Sequence, residues 1–215
     1  MTAARRIAEV VADRILTGQL PPGARIVQDE LAADLGASRL PVREALRILE
    51  ARGLVTLKAN SGAWVSQMSL RDLDLSYEIR ERIEPLLLSD SLPRLTATDL
   101  QDMRDLEEEI EVNDDVERFL VLDRQFHWLS YSRHRAPQLA AIIQRLWDTT
   151  QHYRRAFVQL TGSQGSWIIV AEHRLLLEAL TRQDTQTAST VLGMHIRRTR
   201  VALARHPELF ADTQP

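Results

Sequence analysis

The 215-residue sequence contains no cysteine. That absence excludes disulfide scaffolds, zinc ribbons, iron–sulfur clusters and cysteine nucleophiles together, and it confines any metal site to His, Asp or Glu. Long apolar runs are also missing: none approaches the ~18 uncharged residues that a membrane span needs. Arg5, Arg6, Glu9, Asp13 and Arg14 interrupt the stretch where a signal peptide would carry its apolar core. A cytoplasmic protein with no membrane partner is therefore expected. Nor is there the basic surplus typical of polyanion binders, since 27 Lys and Arg face 30 Asp and Glu for a net charge of −3. Averaged over the chain, that balance argues against a nucleic-acid partner. Internal repeats and low-complexity tracts are absent too.

The average conceals a division. Residues 1–69 hold nine basic and seven acidic side chains, leaving eighteen basic and twenty-three acidic for the remainder. A charge block alone is commonly just a solvated face. Here its boundary coincides with a change of texture. Turn signals at Pro21-Pro22-Gly23, Gly36, Gly53 and Gly62 punctuate the first part, whereas amphipathic runs interrupted only by Pro85, Pro93, Pro137, Gly162, Gly165 and Gly193 fill the second. Two domains are expected, residues 1–69 and 70–215.

In the first, Ile7, Val10, Val11, Ile15 and Leu16 recur at helical spacing and predict a helix over residues 4–18. A second helix is predicted from Val27 to Leu35, with Asp29 and Glu30 at the positive end of its dipole. Gly36-Ala37-Ser38 supplies a tight turn and a serine N-cap for a third helix from Arg39 to about Gly53, with Pro41 tolerated in the first turn. Val42, Ala45, Leu46 and Leu49 form its apolar stripe. Arg39, Arg43 and Arg47 repeat every four residues and share the opposite face. Leu54–Leu57 and Ala63–Ser66 then predict a hairpin around a polar tip, Lys58 to Gly62. This order defines a winged helix-turn-helix. Its recognition helix fits the major groove of double-stranded DNA, where an arginine offers a paired-donor fork to guanine, and Lys58 and Ser61 on the wing can meet the sugar–phosphate backbone. The same arginines could instead form a solvated face paired with Glu44 and Glu50.

The stretch LTGQLPPGARIVQDELAADLGASRLPVREALRILEARGLV, followed by NSGAWV, resembles the DNA-binding domain of the GntR family of bacterial transcription regulators. The resemblance covers most of residues 4–66 and implies that Arg39, Arg43 and Gly62 lie at the DNA, with Ser38 and Pro41 in the family pattern. Leu40 stands where threonine is common and implies an apolar contact there. Asp29 stands where some relatives place a basic residue, which weakens any contact at that position.

From Asp72 onward the period is helical throughout. Helices are predicted at about 70–90, 96–112, 115–134, 137–161, 164–182 and 184–206 with no strand, which makes a mainly α protein whose C-terminal domain is an antiparallel bundle of about six helices. Asp123 and His127 are four apart and share a helix face, while His173 and His195 fall on two later helices. One carboxylate with three imidazoles is a set that divalent zinc, nickel, manganese or iron accepts, with positions left for water or a ligand. Histidines in apolar stripes also serve as hydrogen-bonded core residues, and spacing leaves both readings open. Arg80 has Glu84 at i+4, the spacing of an ordinary helix ion pair.

DRQFHWL, AEHRLLLEAL and LGMHIRRT, which put the three histidines 46 and 22 residues apart, resemble the helical ligand-binding domain of the FadR-type GntR subfamily across about residues 72–205. The resemblance implies that Asp123, His127, His173 and His195 hold a divalent metal, zinc first, and that Arg80 faces a small carboxylate effector. Tyr153, Arg154 and Trp167 are further pocket candidates, and His134, His152 and His206 are expected at the surface or as pocket polar groups. The expectation is a homodimeric, effector-responsive regulator of an operator, a repressor and not an enzyme. Two alternatives are a metal-dependent enzyme and a DNA-binding protein whose metal is purely structural.

Overall fold

The computed structural model describes residues 1–58, 62–161 and 166–210. The chain divides into two compact units, one built from Met1–Ser69 with Trp147–His152 and the other from Leu70–Leu146 with Tyr153–Phe210.

In the first unit, α1 (Ala3–Leu16) begins at Thr2, whose hydroxyl accepts the Arg5 N–H, and it buries Ala4, Ile7, Ala8, Val11, Ala12 and Ile15 along one stripe. A two-residue strand, β1 (Arg25–Ile26), precedes α2 (Gln28–Asp34). Gly36, at φ +58°, turns the chain through the left-handed region that a side chain disfavours and leads into α3 (Arg39–Ala51). Ser38 occupies the N-cap position, yet its exposed hydroxyl makes no capping hydrogen bond, contrary to expectation. A physical reason is at hand: the third helical residue is Pro41, which lacks one of the N–H groups a cap would accept from. Val42, Ala45, Leu46 and Leu49 of α3 are fully buried against α1. The expected hairpin is present as β2 (Val55–Lys58) and β3 (Gly62–Val65), paired antiparallel with Thr56 opposite Trp64 and Lys58 opposite Gly62. β1 adds to the other edge of β3, giving the order β1-β3-β2. Two residues are too short to show alternation, so this strand left no period in the sequence.

The second unit is helical throughout its described residues. It comprises α4 (Leu70–Ser91), α5 (Ala97–Val112), α6 (Val116–Ser130), most of α7 (Pro137–Thr161), α8 (Ser166–Thr181) and α9 (Thr185–Leu203), with single 3₁₀ turns at Leu92–Arg94 and Pro207–Leu209. α4 runs through Pro85 without interruption, whereas Pro93 and Pro137 sit at or next to element starts, where a missing N–H is harmless. Gly162 and Gly165 lie outside the described residues. Thr96 and Asp99 form a reciprocal capping box at the start of α5, and Asp115 and Asp184 cap α6 and α9. α4 packs on α9, α9 on α8, α8 on α5 and α5 on α6.

Candidate metal centre and nucleic-acid interface

Asp123 and His127, one turn apart on α6, share a buried face that meets His173 of α8 and His195 of α9. One ligand atom from each of the four residues lies within 4.8 Å of every other. The ring centroids of His127, His173 and His195 are mutually 5.1–5.2 Å apart. Asp123 Oδ1 stands 3.6 Å from His173 Nε2 and 3.9 Å from His127 Nε2, too far for hydrogen bonds. Both ring nitrogens of His173 are buried and make no hydrogen bond among the described residues. Phe126 stacks on that ring at 4.3 Å and fixes its plane without satisfying it. The reading of these histidines as hydrogen-bonded core residues therefore fails at His173, because burying an unsatisfied imidazole costs free energy. The donor set and its orphaned nitrogens fit a divalent cation.

The protonation state fits as well. Burial pushes the His127 imidazole well below its usual range and the His173 imidazole down to about 3, and the neighbouring rings add to both shifts. Burial alone would raise the Asp123 carboxyl, but its charged surroundings, the Arg154 guanidinium foremost, outweigh it and hold the group below the usual carboxylate range. At neutral pH His127 and His173 are thus neutral and Asp123 is ionised, the form in which they ligate a cation. Arg154 Nη2 donates to Asp123 Oδ2 at 2.6 Å, leaving Oδ1 toward the histidines. The sequence offered Arg154 as a pocket residue and not as a partner of Asp123. The two are 31 residues apart on different helices, and no local spacing reveals the pair.

Of the remaining pocket candidates, Tyr153 is buried and stacked on Phe210 at 4.8 Å, and Trp167 is 70% exposed. His134, His152 and His206 are half-buried. Arg80 is buried, and its Nε donates to Glu84 Oε1 at 2.5 Å, so the i+4 pair is formed. The Tyr131 hydroxyl donates to the other oxygen of Glu84 at 2.8 Å, and the Arg80 guanidinium lies 4.7 Å over the Tyr77 ring. The Tyr77 hydroxyl is buried and makes no hydrogen bond among the described residues.

In the first unit, Ser38, Arg39, Leu40 and Arg43 are exposed at the start of α3, with Leu40 at 56%. Arg39 is held in a forked pair by Asp29, with Nε to Oδ1 at 2.6 Å and Nη2 to Oδ2 at 2.7 Å. The acidic partner is thus on α2, not Glu44 or Glu50; Glu50 instead accepts the Leu57 N–H. Lys58 lies 5.1 Å over the Trp64 ring and Arg25 lies 5.8 Å from it, so a wing cation that the sequence did not single out flanks the same tryptophan. Gly62 adopts φ +116°, where any side chain is strained. Ser61 lies outside the described residues.

A winged helix-turn-helix with an exposed basic helix start, joined in one chain to a helical unit with a buried acid–imidazole cluster, defines a DNA-binding protein with a sensor domain. Residues 3–65 match the model of the bacterial regulatory proteins of the gntR family, and residues 75–198 match the FCD domain. The chain belongs to the GntR family of transcription regulators, in its FCD-containing branch. A helix-turn-helix transcriptional regulator of Streptomyces ambofaciens is 32% identical over 92% of this chain and 85% of its own length. The galactonate operon transcriptional repressor of Escherichia coli is 26% identical over 90% of this chain and 95% of its own. Among solved structures, E. coli McbR/YncC superposes with a TM-score of 0.85 at 24% identity over 96% of this chain and 99% of the other, a likeness of fold. These relatives are transcription regulators, not enzymes. Among the described residues no helix is long and apolar enough to cross a membrane.

Proposed function

We propose that this regulator is a cytoplasmic homodimeric repressor whose residues 1–69 bind a double-stranded operator and whose residues 70–215 sense a small carboxylate at a metal centre. Ser38, Arg39, Leu40 and Arg43 would face base edges, and Lys58, Ser61 and Gly62 the backbone. Asp123, His127, His173 and His195 would hold a divalent ion, zinc first, with nickel, manganese or iron suited to the same donors. Such an ion supplies a Lewis-acidic anchor for a carboxylate, and Arg80 would add a charged donor beside it. One observation carries the metal assignment: four buried ligand atoms within 4.8 Å of one another, including an imidazole with neither nitrogen hydrogen-bonded among the described residues. Effector binding then shifts the regulator between states of different DNA affinity, by no more than its differential affinity for them.

The test takes a duplex selected by the wild-type protein from a random pool. Arg43→Ala should cost about 10-fold or more in affinity for that duplex while metal content stays at the wild-type value. His173→Ala should lose bound metal and keep the operator. Undiminished operator affinity in the first variant, or unchanged metal stoichiometry in the second, refutes the corresponding half of the proposal.

The forked pair at Arg39 adds a smaller prediction. Exposed ion pairs are weak, so Asp29 restrains Arg39 only modestly. Asp29→Asn removes the restraint and a negative charge beside the phosphates, and should tighten operator binding about threefold at low salt, measured by fluorescence anisotropy. A weakened complex would show instead that the pair presents Arg39 to the DNA.

A further inference from the structure

Glu172 and Arg198 play no part in the ligand set, yet both converge on it. Glu172 precedes His173 on α8, and consecutive helical side chains diverge by about 100°. While His173 enters the cluster, the Glu172 carboxylate reaches across to α9 and meets His195 Nδ1 at 2.7 Å. Arg198, three residues after His195, clasps the same carboxylate with Nε at 2.8 Å and Nη2 at 2.6 Å. Glu172 is 5% exposed, so a carboxylate is kept at depth by one guanidinium and one imidazole.

We infer that Glu172 is a positioning residue for the metal centre, fixing His195 in the tautomer that carries its proton on Nδ1 and presents Nε2 as the ligating nitrogen. The inference rests on the metal reading above. Its physical basis is the asymmetry of the imidazole: a neutral ring has one donor and one acceptor nitrogen, and an ionised carboxylate accepts only. Glu172 can bond Nδ1 only when Nδ1 bears hydrogen, and this leaves the Nε2 lone pair available. Arg198 donates to both oxygens of that carboxylate, including the Oε2 that meets His195, and so fixes its position. His173 differs: it has stacking by Phe126 and, among the described residues, no hydrogen-bonding partner to choose its tautomer. The centre would therefore combine one ring whose tautomer is set before the cation arrives with another held by packing.

The experiment uses the full-length protein and cobalt(II), whose visible absorption reports ligand geometry, with affinity measured against a chelating dye. Glu172→Gln and Glu172→Ala are compared with wild type, and Glu178→Gln, an exposed carboxylate on the same helix, is the control. Both Glu172 variants should lose about 10- to 100-fold in cobalt affinity with a shifted absorption band, and the control should match wild type. Nitrogen-15 NMR of the wild type, which needs no variant to fold, should place the His195 proton on Nδ1. Wild-type cobalt affinity and spectrum in Glu172→Gln, or a proton on Nε2 of His195, would overturn the role of Glu172 and leave the centre intact. Failure of the wild type to take up cobalt stoichiometrically would overturn the centre itself, and this role with it.

Discussion

Acidification from pH 6.5 to pH 5 should destabilise the chelator-treated protein by about 2 kcal/mol through His173 alone, with His127 adding a contribution of the same sign. Both imidazoles are held neutral in the folded state, His173 down to about 3 and His127 well below its usual range, because burial disfavours the charged ring. In the unfolded chain each titrates at about 6.5. Below that value the unfolded state binds protons that the folded state refuses, so stability falls by ~1.4 kcal/mol per pH unit for each such ring, until the folded pKa is reached. The carboxylates act in a different window. Asp123 is lowered, and Glu172 and Asp99 are each lowered to about 2. The stability they contribute is present above their unfolded values near 4 and is lost only as pH drops below them. A decline between pH 6.5 and 5 thus belongs to the histidines. Denaturant titrations followed by circular dichroism over this range should show it, and His173→Leu should reduce the slope by about one histidine's share. A flat profile would mean that the rings are accessible to protons in the folded state, which the buried cluster forbids.

The legible and the illegible parts of this molecule differ in range along the chain. Val42, Ala45, Leu46 and Leu49 mark α3 by period alone, and all four are fully buried as that period requires. The bundle helices begin and end within a few residues of expectation, except that α6 stops at Ser130 where the period was extended to about residue 134. His134 there closes a turn onto the Tyr131 carbonyl instead. Asp123 and His127 were visible as a pair because four residues make one helical turn. Their meeting with His173 and His195 was implied by resemblance, since spacing on three separate helices carries no distance. The supporting groups were silent for the same reason: Glu172 meets His195 across 23 positions and Arg154 meets Asp123 across 31. Asp29 departs from the family pattern, but its pairing with Arg39, ten residues away across a turn, has no local signature in the sequence. Composition misled only as an average, because a DNA-reading face needs a few exposed arginines on one helix and not a basic chain.

Arg80 is where structural and functional readings compete most directly, and the second large effect is expected there. The Arg80–Glu84 pair is sealed from solvent, with side-chain exposures of 4% and 0%. Removing one partner strands a buried charge, so Glu84→Ala should cost about 3–5 kcal/mol. For a chain of this size that lowers the melting temperature by about 6–20 °C. Arg80→Ala should be comparably costly, since it leaves the Glu84 carboxylate with the Tyr131 hydroxyl as a neutral donor. A lost response to carboxylates in either variant would therefore follow from damage to the fold as readily as from loss of a ligand contact. The paired replacement Arg80→Met with Glu84→Met removes both charges at similar volume and should recover most of the lost stability, an interaction energy that a double-mutant cycle measures directly. With the fold restored, a panel of small mono- and dicarboxylates can be tested for release of the operator duplex. Loss of the response in this stable double variant assigns the Arg80–Glu84 pair to the effector site, because damage to the fold no longer accounts for it. An unchanged response assigns Arg80 to the core, where it pairs with Glu84 and lies over the Tyr77 ring.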